Sequence, residues 1–146
     1  MMPPRLNLNQ LPVERAVETV IDVPEDFSAQ LAAEYLSKVT ARCVLVTACG
    51  TKRLAGLITV SDLKKLSIAK TAGDMATRKI VAIGLDATIG DAVLLMRGDN
   101  SLRRELNLLP VTTADGDALG VVTRAGIDRL SSQLRETSSG GGLSYA

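Results

Sequence analysis

The sequence predicts a mixed α/β (α+β) fold built from two copies of one β-α-β-β-α unit. Two observations predict it. Short β-branched runs alternate with stretches of helical spacing, in the same order twice. In addition, Gly56-Leu57-Ile58-Thr59-Val60-Ser61-Asp62-Leu63 returns as Gly120-Val121-Val122-Thr123-Arg124-Ala125-Gly126-Ile127. In each copy an apolar strand runs into a Thr and a helix begins. The carboxylate of the first copy, Asp62, gives way to Gly126 in the second. The period is about 64 residues, longer than the common solenoid units, which indicates a tandem pair rather than an array.

Residues 1–17 read as an irregular lead-in, with a short helical turn over 12–19 that has Pro12 near its start. The first repeat spans 18–70. Its opening strand, 20–23, is stopped by Pro24. Asp26 or Ser28 caps a helix whose apolar face carries Leu31, Ala32, Tyr35, Leu36 and Val39. Residues 43–47 and 54–60 form a hairpin around a turn containing Gly50. A helix over 61–69 closes the unit.

The second repeat spans 71–136. Residues 71–74 form a connector with Asp74 as a turn residue, and 75–79 are irregular. A strand follows at 80–83. Asp86 or Thr88 caps a helix facing inward through Ile89, Ala92, Val93 and Met96. Residues 98–101 break it, and 102–107 form one further helical turn. A hairpin of 108–113 and 118–123 closes around Asp115-Gly116. The last helix covers 124–135, with Ile127, Leu130 and Leu134 inward. Residues 137–146 read as a flexible Ser/Gly tail.

Composition excludes several classes of function. Hydrophobic residues make up 46% but aromatics only 2%, so the core is aliphatic and no stacking platform for single-stranded nucleic acid exists. A formal net charge of +1 gives no general attraction to DNA or to a membrane surface. Lys64-Lys65 and Arg103-Arg104 read as solvated helix faces. With no histidine, the usual general base and the commonest metal ligand are missing. Cys43 and Cys49 match neither a zinc knuckle nor a redox pair; Cys43 reads as a small buried hydrophobe. No apolar run is long enough to span a bilayer, and no signal-peptide core follows the N-terminus. A cytoplasmic, non-membrane setting is the expectation, with no nucleic-acid partner and no catalytic cofactor or metal.

At Gly56 to Leu63, at Ala72-Gly73-Asp74-Met75-Ala76-Thr77, and at Leu109-Pro110-Val111 followed by an acidic Gly turn and Gly120 to Thr123, the chain resembles a tandem pair of cystathionine-β-synthase-type (CBS) domains, or Bateman module. The resemblance covers about residues 18–135. It implies pseudo-two-fold packing of the halves, a homodimer of pairs, and two clefts for adenosine-containing ligands such as AMP, ADP or ATP. Binding there would regulate an attached or associated enzyme or transporter, without catalysis. Carried onto this sequence, the first cleft uses Thr59 and Asp62, with Val23 and Leu45 near the base. The second uses Thr123, with Ile80, Val81 and Pro110 near the base. Gly126 stands where that cleft's ribose carboxylate is expected, and Arg124 adds a cation where phosphates would lie.

The chemistry of the residues is compatible with this. A helix start offers backbone amides and a favourable dipole to phosphate, and a carboxylate can accept ribose hydroxyls. Thr59-x-x-Asp62 equally fits a helix capping motif. A second function therefore stands beside the sensor: a ligand-independent dimerisation body, such as the cytosolic domain of a transporter or channel. An enzyme is disfavoured, because no nucleophile–base pattern, metal cluster or phosphate loop is present.

Overall fold

Period-two alternation gives each hairpin two apolar faces, and the architecture follows from burying both. A computed structural model of the chain describes residues 7–38 and 43–143, with side chains to Arg135. The first sheet is ordered β1 (Asp22–Pro24), β2 (Cys43–Thr47), β3 (Leu54–Thr59); the second is β4 (Ile83–Gly84), β5 (Leu108–Thr112), β6 (Ala118–Thr123). In each, a parallel pair is followed by an antiparallel hairpin. α1 (Ala29–Lys38) and α3 (Ile89–Met96) supply the crossovers that a parallel pair requires.

The two hairpins have the same register. Cys43 pairs with Thr59 and Leu108 with Thr123, and both ladders shift one step before their last pair, at Val46/Thr47 and Val111/Thr112. Val44, Val46 and Ile58 face α1 in one core, while Leu109, Val111 and Val122 face α3 in a second. The opposite faces, with Cys43, Leu45, Leu57 and Val121, meet in a third cluster shared by the two repeats. The fully buried side chains, Ile58, Leu45 and Leu109 among them, each contribute about 1.5–3 kcal/mol by leaving water. At the hairpin tips the Leu54 amide donates to the Gly116 carbonyl (3.0 Å) and the Ala118 amide to the Lys52 carbonyl (2.8 Å).

The repeats also exchange their leading segments. Leu11, Val13 and Ala16, placed by the sequence in the lead-in, are buried in the second repeat's core. Correspondingly, α2 (Ala72–Met75) sits in the first repeat's core through Ala72 and Met75. Each segment then crosses the other repeat's last strand. Glu18 bridges Val121, and Thr77 bridges Leu57, each through a reciprocal pair of backbone hydrogen bonds. Gly56 and Gly120 permit these crossings. A Cβ at Gly56 would sit 3.0 Å from the Ala76 Cβ, and one at Gly120 would collide with the Glu18 carbonyl oxygen.

Several elements differ from the sequence reading. The helix expected over 61–69 is a 3-10 turn, Val60–Lys65. Leu63 and Leu66 both pack on the first core, and a three-residue spacing stays on one side of a 3-10 helix. The strand expected at 20–23 is β1, which includes Pro24; an edge strand tolerates the missing N–H. The strand expected at 80–83 contracts to β4, because the chain before it serves the crossing. The connector at 71–74 is the capped start of α2. Residues 102–107 are not helical: Asn100 shapes this loop, donating to the Leu95 and Arg104 carbonyls (2.6 and 2.9 Å) and accepting from the Leu102 amide. α4 (Arg124–Leu143) runs beyond 135, since propagating a formed helix adds a bond per residue and no proline interrupts it. Val39, residues 1–6 and residues 144–146 lie outside the described residues.

Candidate functional site

Thr59 and Thr123 end β3 and β6, and each stands at the start of a helical element. Around Thr59, the Asp62 carboxylate folds back. Its Oδ2 accepts from the Thr59 amide (2.9 Å) and the Thr59 hydroxyl (3.3 Å). Its Oδ1 accepts from the Thr77 hydroxyl (2.7 Å) and Lys65 Nζ (3.0 Å). A carboxylate has about four lone-pair positions, and four donors occupy them. The side chain is only 4% exposed. Burial pushes the Asp62 carboxyl up, but the Thr59 amide, the Thr77 hydroxyl and the Lys65 ammonium outweigh it and hold the group below its ordinary value. Lys65, itself part-exposed, thus pairs with a buried carboxylate rather than standing as a free charge on a solvated face.

Around Thr123 the carboxylate comes from elsewhere in the chain. Gly126 offers its amide to the Thr123 hydroxyl (2.9 Å) and carries no acid. Glu18, on the crossing segment, places Oε1 2.7 Å from Arg129 Nη2 and 3.4 Å from the Thr123 hydroxyl. Each repeat therefore joins a strand-end Thr, a carboxylate and a cation. The cation stands six residues after the Thr in both, as Lys65 and Arg129. Sequence reading missed Glu18 because it lies 105 residues from Thr123 in the chain. The available signal was the Gly126 substitution itself, which opens room for a larger group.

The other expected site residues are dispersed. Val23 is buried in the first core, under α1, whereas Leu45 lies on the opposite face of the same sheet. Ile80 packs on the same shared cluster as Leu45, and Val81 packs on the second core. Pro110 is buried in β5 opposite Val121. Arg124 is exposed at the start of α4. It lines a groove of about 900 Å³ between α3, α4 and residues 8–9, with Asp91, Arg97, Glu105 and Asp128. That groove is separate from both Thr-carboxylate clusters. Among the described residues, no group of three or more acidic or Cys side chains is placed to hold a metal ion.

Comparisons with known proteins agree with the repeat geometry. The family model for the CBS domain matches residues 72–132, which is the second repeat. The matching register of the hairpins extends the unit to the first. The chain has the fold of a tandem CBS-domain pair. Among solved structures it is similar to the CBS-pair protein CBSX2 from Arabidopsis thaliana, at 22% identity and a TM-score of 0.70, covering 87% of this chain and 98% of that one. CBSX2 in complex with AMP matches at 20% identity and a TM-score of 0.70, over 86% and 99% of the two chains. The CBS domain pair of protein MJ0100, in complex with 5′-methylthioadenosine and S-adenosyl-L-methionine, matches at 23% identity and a TM-score of 0.67, over 82% and 98%. No curated protein sequence matches the chain. Among the described residues no helix is long and apolar enough to cross a membrane.

Proposed function

We propose that this CBS pair is a non-catalytic regulatory module that binds an adenosine-containing ligand and thereby controls an attached or associated protein. The carrying observation is the constellation repeated in both halves: a strand-end Thr, a carboxylate and a cation beside a helix start. Backbone amides and the cation suit phosphate, and the carboxylate suits ribose hydroxyls. The complexes of similar folds with AMP, and with 5′-methylthioadenosine and S-adenosyl-L-methionine, support the adenosine class. Within that class the ligand is AMP, ADP or ATP. The assembly is a homodimer, the setting cytoplasmic, and the controlled protein an enzyme or transporter.

The test is a calorimetric and thermal-shift screen of AMP, ADP, ATP, NAD and S-adenosylmethionine at millimolar concentration. A ligand at 100 times its Kd stabilises the folded state by about 2.7 kcal/mol through mass action, an easily measured rise in Tm. No heat and no shift with any of the five would remove the sensor reading.

One observation favours a second reading, a ligand-independent dimerisation body. All of Asp62's acceptor positions are taken by the protein's own donors. A dimer of unchanged size with and without nucleotide, together with a flat calorimetric trace, is what that reading requires.

A further inference from the structure

We propose that Glu18 is the hydroxyl-accepting carboxylate of the second cleft, and that the group it takes is the cis-diol of a ribonucleoside. This rests on the adenosine-binding reading above and assigns it a residue and a side of the molecule. The second cleft is then not the degenerate one.

The equivalence of the two halves carries the argument. Leu57 and Val121 hold the same place in their hairpins, each two residues before the strand-end Thr. Thr77 pairs with Leu57 and Glu18 with Val121, so Thr77 and Glu18 are counterparts on the crossing segments. In the first half the hydroxyl, Thr77, is on the crossing segment and the carboxylate, Asp62, is on the helical turn. In the second half the carboxylate is on the crossing segment and the helix carries glycine. The acid has changed elements while keeping its partners, a strand-end Thr and a cation.

Gly126 is what makes this exchange possible. A Cβ there would lie 2.9 Å from Glu18 Oε1 and 3.0 Å from the Thr123 hydroxyl oxygen. The notch is filled by the flexible end of the glutamate, so a side chain at 126 requires that end to move.

Availability separates the two carboxylates. Asp62 is 4% exposed with both oxygens engaged, whereas the Glu18 side chain is 32% exposed and, among the described residues, only Oε1 is hydrogen-bonded. Oε2 is free to accept a hydroxyl at no cost in existing bonds. Arg129 fixes the carboxylate through Oε1, which limits the side-chain entropy lost when a ligand binds. Oε2 has two lone-pair positions for the two hydroxyls of a diol, and its carboxylate is the more exposed of the two.

The experiment is calorimetry of the full chain with AMP and with 2′,3′-dideoxy-AMP as a probe lacking the diol. Wild type, Glu18→Gln, Gly126→Ala, Gly126→Asp and the double variant Glu18→Thr/Gly126→Asp are compared, with a melting curve for each. Hydrogen bonds to a charged acceptor correspond to about a tenfold to hundredfold change in affinity. Glu18→Gln is expected to weaken AMP by that factor while leaving dideoxy-AMP unchanged. Gly126→Ala, which displaces the glutamate without removing it, is expected to weaken AMP as well. The double variant, rebuilding the first half's arrangement, is expected to melt above Gly126→Asp alone. Unchanged AMP affinity in Glu18→Gln, with wild type binding AMP, overturns the assignment and leaves the adenosine reading intact. Equal loss for AMP and dideoxy-AMP also overturns it, by showing a structural role only. Failure of wild type to bind any adenine ligand removes both.

Discussion

The Thr77 hydroxyl donates to Asp62 Oδ1 across 2.7 Å, tying the segment that leads into the second repeat to the last turn of the first. Asp62 is thereby a joint between repeats as well as a cap. Removing it in Asp62→Ala takes the acceptor from the Thr59 amide and the Thr77 hydroxyl in a part-buried site. Lys65, whose side chain is 36% exposed, can turn to solvent. Leaving buried donors unpaired costs about 1–3 kcal/mol each, so a loss of about 2–4 kcal/mol is expected. Thr77→Val removes one donor and should cost about 1 kcal/mol. Urea denaturation checks both, with a lower midpoint and an unchanged slope. A midpoint for Asp62→Ala equal to wild type contradicts the joint.

The same network predicts the acid limb of stability. The folded-state pKa of Asp62 lies below the 3.8 of the free group. In the window between the two values the unfolded chain binds more protons, so stability rises with pH there. The contribution is full above 3.8 and is lost as pH falls through the folded value. Asp74, held low first by the Thr71 amide and then by the Lys70 amide, acts with the same sign. Its exposure lets solvent screen it, so Asp62 should carry the larger share. Asp62→Asn is expected to be less stable near pH 7 and flatter on acidification. Melting curves at stepped pH from 6 down to about 2.5 test this, and parallel curves for variant and wild type contradict it.

How much of this was legible in the sequence follows from chain distance. The hairpins were readable because their signals are local: β-branched runs around Gly50 and around Asp115-Gly116, both glycines at positive φ (74° and 90°). The repeat was readable because Gly56 to Thr59 and Gly120 to Thr123 are similar strings. Met96, read on the inward face of its helix, is 2% exposed. What was not legible depends on the exchange of leading segments. Val13 and Ala16 lie in the short helical turn read over 12–19, a 3-10 helix in the structure, yet nothing local says that they belong to a core with Ile83, Leu109 and Ile127. Glu18 is illegible for the same reason, since nothing near it in sequence says that it will face Thr123. The 3-10 helix at Val60–Lys65 was obscured differently, because six residues are too few to separate a three-residue period from 3.6.

The crossings predict a ranking of glycine substitutions. At Gly56 a Cβ meets the Ala76 Cβ at 3.0 Å and the Thr77 carbonyl oxygen at 3.1 Å, so Gly56→Ala forces a small shift. Overpacking of this kind costs about 1–3 kcal/mol. At Gly120 the obstacle is backbone, the Glu18 carbonyl oxygen, with the Val17 Cγ1 3.0 Å away. Gly120→Ala should be the more damaging, because the crossing segment must move as a unit. Gly50→Ala is the control: its Cβ meets nothing within 4 Å, and its cost is the positive φ alone, about 1–2 kcal/mol. Thermal melts of the three variants should place Gly120→Ala lowest. An equal effect at all three positions contradicts the crossing geometry.

The two thiols report on the interface between repeats. Cys49 is exposed at the first hairpin turn, while Cys43 is 0% exposed in the shared cluster with Leu45, Leu57 and Val121. Burial, with a further push from the Glu18 carboxylate, raises the Cys43 thiol to about 11. The thiolate is the nucleophile in disulfide exchange, so Cys43 is shielded sterically and chemically at pH 8. An aromatic disulfide reagent should therefore titrate one thiol in the native protein and two in denaturant. The second thiol should become reactive only as the two sheets separate, and its labelling rate in rising sub-denaturing urea measures the free energy of that opening. If Cys43 opens well before global unfolding, the repeats part as units while each keeps its own core. If its opening free energy equals that of unfolding, the exchanged segments lock both repeats into one cooperative body. The latter is expected, because Val13 and Ala16 in one core and Ala72 and Met75 in the other must leave before the halves can come apart.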